Sequence, residues 1–199
     1  MNNKNKLFFI FAILIGLIVT ISNYLVQFPV KYLNLENLLT YGAFTYPISF
    51  LITDLSNRKY GKETAKKVVY FGFFCGLLAT FYFSIGDTDL ISLRVALGSG
   101  IAFLTAQLID INIFDKLRRK KWFIAPLTSS FIGSGIDTFL FFSIAFYGTG
   151  INWLSLSLGD LIVKILVALI MLIPFRILLS YIKEISENKK KINVSKKKI

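Results

Sequence analysis

The chain of 199 residues has no histidine and one cysteine, Cys75. Without histidine, and with a single thiol, no Cys/His set exists for zinc or haem, and no intramolecular disulfide can form. Charge is scarce as well. Asp, Glu, Lys and Arg make up 17% of the chain, against roughly 25% in soluble globular proteins. Acidic residues are the scarcer sign, 11 against 23 Lys and Arg. The GxSxG, HExxH, Walker-type and paired-cysteine patterns are all missing, and with them the common routes to nucleophilic, metal-assisted and nucleotide-hydrolysing chemistry. Buried aspartates can form an intramembrane protease dyad, but the residues after them here are Leu55, Ile111 and Thr138 rather than the glycine of such a setting. No filter-like repeat that would ring a channel is present. The expectation is therefore no enzyme, no cofactor and no metal. The net charge of +12 raises nucleic acid as a partner. The cations are spread over short segments and a tail, however, so nucleic acid is set aside.

What the chain does have is hydrocarbon: 55% of residues are hydrophobic and mean hydropathy is +0.64. Six long apolar runs fall at about 7–30, 38–55, 68–85, 93–114, 122–147 and 154–181. Runs near 20 residues are long enough to cross a bilayer and too long for the core helices of a soluble domain. Lys4 and Lys6 before the first run also fit a signal peptide. The run is long and no A-x-A site follows it, so it is expected to stay as a span. Cys75 falls mid-span, where packing is its expected role.

The cations alternate along the chain. Lys4 and Lys6 precede the first run, five lie between Arg58 and Lys67, five between Lys116 and Lys121, and eight from Arg176 to the end. The opposite connections carry only Lys31, while Arg94 and Lys164 fall inside runs. By the positive-inside rule this predicts an all-α integral membrane protein, a bundle of six transmembrane helices with both termini cytoplasmic. Residues 1–182 form the membrane domain. Residues 183–199 form a basic cytoplasmic tail, expected to be disordered and to meet anionic lipid.

Polar groups inside the runs need partners or a task, since hydrocarbon does not solvate them. Asp54 stands where the second run gives way to what reads as a basic loop, with Asn57 one turn on. Gln107 and Asp110 are i and i+3 and share a helix face; Asp160 and Lys164 are i and i+4 in the favourable order for an ion pair. That pair serves either coupling or structure. Asp137 has no other charge near it in sequence, so it is expected to face a wet cavity or a polar group of another helix. Arg94 is expected to pair with Asp87 or Asp89 at the outer surface. Gly98-Ser-Gly-Ile101 and Gly133-Ser-Gly-Ile136 read as small-residue surfaces for close helix packing.

The run YPISFLITDLSNRKYG from Tyr46 to Gly61 resembles the signature of the queuosine precursor transporter family, also called the vitamin uptake transporter family, whose pattern is P-x-x-F-L-x-T-D-L-x-N-x-x-Y/F-G. SGIAFLTAQLID ending at Asp110, Phe114-Asp115, Ser134-Gly-Ile-Asp-Thr138 and Lys164 extend the resemblance over about 23–179. Many members carry Glu where this chain has Arg58, which is read here as a topology cation. The resemblance implies import of 7-cyano-7-deazaguanine or 7-aminomethyl-7-deazaguanine across a bacterial inner membrane, by a multi-pass protein whose partners are the small molecule and the bilayer. On that reading Asp54, Asn57, Gln107, Asp110 and Asp137 bind substrate, and Phe44, Tyr46 and Phe103 stack on its ring. A proton or sodium gradient or an external ATPase module supplies the energy, and a homo-oligomer is open. The alternatives are the substrate-binding component of an ATPase-driven vitamin-type system, or a scaffold whose buried charges are structural.

Overall fold

The computed structural model describes residues 3–32, 39–83 and 90–179. Among the described residues six helices follow one another: α1 (Asn3–Leu25), α2 (Gly42–Tyr60), α3 (Lys62–Phe83), α4 (Leu90–Leu117), α5 (Ile124–Phe146) and α6 (Trp153–Leu179). The tail, Glu36, Asp87 and Asp89 lie outside the described residues. Among the described residues four helices are long and apolar enough to cross a membrane, over Phe8–Leu25, Leu93–Leu117, Ile124–Phe146 and Trp153–Leu179. The other two carry more charged or polar residues. α3 opens on Lys62, Glu63, Lys66 and Lys67. α2 carries its polar residues in its middle, where Ser49, Thr53, Asp54, Ser56 and Asn57 are all buried.

Side-chain contacts fix the direction of each helix. Asn23 meets Tyr46 and Phe11 meets Tyr60, so α1 and α2 are antiparallel. Gly16 lies on Gly72 and Val19 on Gly76, so α1 and α3 are parallel. Tyr46 meets Ser99, Thr53 meets Gln107 and Asn57 meets Ile111; α2 and α4 are therefore parallel and in step. Gly98 packs on Phe141 and Gly133 near Asp110, so α5 runs against α4. Thr138 with Asp160 and Asp137 with Lys164 set α6 against α5. The helices thus alternate in direction, and α2 touches all the others.

At one end the basic segments meet. Arg58 Nη1 donates to the Arg118 carbonyl at 2.5 Å, and Arg118 Nη2 donates to the carbonyls of Asn57 at 3.2 Å and Arg58 at 2.8 Å. Each guanidinium caps the C-terminus of the other's helix, where carbonyls lack partners and the helix dipole is negative. Arg58 is thus more than a topology cation. Arg176 of α6 lies over the Trp122 ring at 5.0 Å, at the same end. The stretch after Asp54, read from sequence as a loop, is helical on both sides of one residue. Gly61 turns the chain with φ 87°, a left-handed conformation that glycine adopts without a Cβ clash.

At the other end Arg94 caps α5 through the carbonyls of Ile144 and Tyr147, at 2.9 and 2.7 Å from Nη2. This contact supplies an α-helix C-terminus with its cation; the expected partners Asp87 and Asp89 lie outside the described residues. Cys75 is exposed on the outer face of α3 rather than packed.

Glycine sets the closest approach in the bundle. A Cβ on Gly72 would stand 2.5 Å from the Ala12 carbonyl oxygen and 2.8 Å from Ile15 Cβ; one on Gly76 would stand 2.9 Å from Val19 Cβ. Small residues four apart let α1 and α3 touch through their backbones. Gly98 and Gly133 also lie at helix contacts, as their motifs suggested, whereas Gly135 has nothing within 4 Å. Gly72→Val is expected to cost about 1–3 kcal/mol by overpacking, read as a lower melting temperature in detergent. Gly135→Ala is the control and should melt like the parent. Equal melting of all three proteins would contradict the glycine contact.

Candidate functional site

The polar residues inside the bundle form two separate groups along α2, joined by a hydrogen-bonded pin. The first group centres on Lys164. Its ammonium lies 2.7 Å from Asp137 Oδ2 of α5 and 2.6 Å from Asp160 Oδ2 of α6, and it donates to Thr138 Oγ1 at 3.2 Å. Thr138 in turn donates to Asp160 Oδ2 at 2.7 Å. The Tyr46 ring of α2 lies 5.2 Å from the ammonium, a cation–π distance. The Tyr46 hydroxyl reaches Ser99 Oγ of α4 at 2.5 Å and donates to Asn23 Oδ1 of α1 at 3.0 Å. Asp137, Asp160 and Lys164 are all buried. Asp137 is therefore not isolated in space; the expected Asp160–Lys164 pair is a triad that includes it.

An ammonium has three protons, and here the three go to Asp137, Asp160 and Thr138. Each carboxylate keeps lone pairs to spare. The group thus offers acceptors and no spare donor, and it holds one more carboxylate than ammonium. A narrow cleft opens onto it, lined by Val26, Gly42, Tyr46, Asp137, Phe141, Asp160 and Lys164.

The pin lies deeper along α2. Thr53 Oγ1 donates to Gln107 Oε1 at 2.6 Å, and Gln107 Nε2 donates to Ser49 Oγ at 2.7 Å. One turn on, Asn57 Nδ2 donates to the Ile111 carbonyl at 3.0 Å. Gln107 and Asn57, both expected to bind substrate, hold α4 to α2 in this structure.

The second group is Asp54 of α2 facing Asp110 of α4, with Ser129 of α5 beside both. Ser129 Oγ donates to Asp54 Oδ1 at 3.5 Å, a long contact. Asp54 is buried inside the bundle, and Asp110 is buried with it. Among the described residues no group of three or more His, Cys, Asp or Glu is placed to hold a metal ion.

The candidate aromatic residues separate as well. Tyr46 lines the cleft. Phe103 stands behind it, 6.1 Å from the Tyr46 ring and stacked on Phe73 at 5.6 Å, so it supports the site from the rear. Phe44 is 43% exposed, on the outside of α2 rather than with the cleft. Phe141 lines the cleft and was missed from sequence. The signal was available: Ser129, Gly133, Asp137 and Phe141 recur every four residues and so share one face of α5.

The charge pattern makes a stability contrast. Lys164→Met leaves two buried carboxylates without a cation, which is expected to cost about 3–5 kcal/mol and most of the folded protein. Asp137→Asn leaves the Lys164–Asp160 pair neutral, and folded yield in detergent should stay near the parent. Loss of both variants alike would contradict the triad as drawn.

Residues 40–179 match the family model described as "Putative vitamin uptake transporter". The chain is 30% identical over 197 residues to the protein named "Queuosine precursor transporter" of Escherichia coli (strain K12), with 89% of this chain and 88% of that protein covered. It is 33% identical over 186 residues to a "Probable queuosine precursor transporter" of Haemophilus influenzae, 79% of each being covered. A Bacillus subtilis protein of the same name is 31% identical over 156 residues, covering 67% of this chain and 68% of its own. No solved structure matches the chain significantly.

Proposed function

The chain belongs to the vitamin uptake transporter family, and from that premise we propose that it carries queuosine precursors across a bacterial inner membrane. The family is one of transporters, not enzymes, and the apolar helices make this chain a multi-pass membrane protein. The substrates in this reading are 7-cyano-7-deazaguanine and its aminomethyl relative. The path crosses the bilayer with six helices and both ends in the cytoplasm. Alternating helix direction and the meeting of Arg58, Arg118 and Arg176 segments at one end support that topology.

The observation that carries the substrate reading is the acceptor-only cleft under Tyr46. A guanine-type base presents a ring N–H and an exocyclic amine side by side. Spare oxygens of Asp137 and Asp160 accept both, while the Tyr46 and Phe141 rings offer flat apolar faces. The excess carboxylate suits the aminomethyl cation of the reduced precursor. As it stands the cleft has about 10 Å³ of free space, room for roughly one water and far below the roughly 300–1,000 Å³ of usual small-molecule sites. Loading therefore parts α2 from α5 and α6, as alternating access requires. A purely structural scaffold would leave the spare acceptors without a use.

Two measurements test this. In cells given labelled 7-deazaguanine precursor, Asp137→Asn should lower initial uptake per folded molecule at least about tenfold, because a charged hydrogen bond is worth roughly 1.5–3 kcal/mol. Adenine and cytosine should compete poorly. Normal uptake per molecule by the variant would remove Asp137 from the site. For topology, a reporter active only in the cytoplasm should work when fused after Lys62 or Lys120 and stay silent after Gly150; activity at Gly150 would contradict six crossings.

A further inference from the structure

The Asp54–Asp110 group has chemistry that the substrate cleft does not use. Both carboxyls are buried, Asp54 at 1% exposure and Asp110 at 0%. Neither Asp110 oxygen has a hydrogen-bond donor, and Asp54 has only the long Ser129 contact. Among the described residues neither aspartate is in an ion pair with Lys or Arg. Arg118, beyond the end of the pair, donates to the Asn57 and Arg58 carbonyls and to Asp115, and Arg58 donates to the Arg118 carbonyl.

α5 contributes the neutral Ser129, and a narrow cleft beside Asp54 is lined by Pro47, Leu51, Pro126, Ser130 and apolar residues of α6, among them Met171 and Phe175. Among the described residues the titratable groups that face one another here are Asp54 from α2 and Asp110 from α4.

Two carboxylates cannot both stay ionised at hydrogen-bonding range in a low-dielectric interior without a cation. Two carboxyls and one hydroxyl are too few oxygens for a hard divalent ion, which takes about six or more ligands. A single proton satisfies the pair: the protonated acid donates its O–H to the other carboxylate. We propose that Asp54 and Asp110 bind the proton whose movement drives transport, at a site distinct from the substrate cleft. This rests on the transport reading above.

The geometry links the two sites. Asp54 is eight residues beyond Tyr46, roughly 12 Å along α2. The Gln107 pin to Ser49 and Thr53 lies between them on the same pair of helices. A movement of α2 that opens the cleft changes the approach of Asp54 to Asp110. With the carboxyls apart and wet, the proton leaves; with them together, one is retained. The cycle takes one proton from one side and delivers it to the other, and no bond to the substrate is made or broken.

The test uses the purified full chain in proteoliposomes, with labelled 7-aminomethyl-7-deazaguanine and the membrane potential clamped. The parent should exchange label across the membrane in counterflow. With an acidic exterior it should also concentrate the label about tenfold per unit of pH difference, one proton per substrate. Substrate added to a lightly buffered suspension should alkalinise the medium. Asp110→Asn and Asp54→Asn should each lose gradient-driven accumulation and alkalinisation while exchange stays detectable. Gradient-driven accumulation by both variants would overturn the proposal. So would a parent that exchanges label without alkalinisation, or one driven by sodium and not by pH; that readout needs no variant to fold. A parent without counterflow would instead remove the transport reading itself, and this inference with it.

Discussion

The grip of Asp137 and Asp160 on the Lys164 ammonium, at 2.7 and 2.6 Å, is the interaction on which the rest of the bundle depends. A buried ion is costly unless its partners satisfy every proton, and here they do. The triad ties α5 to α6, and the cation–π contact brings Tyr46 of α2 over it. Through its hydroxyl Tyr46 then reaches α1 and α4. One charged cluster thus fixes the mutual positions of most of the helices, and it leaves carboxylate lone pairs facing a cleft.

α2 is the second constraint. Its polar side chains point at other helices, because none of them can face lipid unpaired. That is why it is the least apolar helix by composition and yet sits against every other one. Its step-for-step parallel alignment with α4 creates two chemically different sites along one axis. The one at Tyr46 has a cation and excess acceptors. The one at Asp54 has two carboxyls and, among the described residues, no ion-paired cation. The reciprocal Arg58–Arg118 caps close the same two helices at their C-terminal ends.

Much of this was legible in the sequence. Long apolar runs gave α4, α5 and α6 nearly to their ends, because length and hydropathy are local properties. The i, i+4 spacing of Asp160 and Lys164 predicted their pairing for the same reason. That Asp137 completes the group was not legible: it lies 27 residues from Lys164, and only the antiparallel packing of α5 on α6 brings them together. The same holds for Arg94, whose partners lie 50 residues away or more. The stretch after Asp54 looked like a loop because cations cluster there; the helix continues because those cations sit at helix ends, where the dipole favours or tolerates them. Phe44 and Phe103 were grouped with Tyr46 on aromatic character alone. Their helical phase sends one outward and the other behind the site.

The most direct test of the account is a structure determined with 7-cyano-7-deazaguanine bound. The account predicts the base between Tyr46 and Phe141, its N–H and amine edge on Asp137 or Asp160, with Asp54 and Asp110 still facing each other and free of ligand. A base seated against Asp54 and Asp110, with the Lys164 triad untouched, would contradict it.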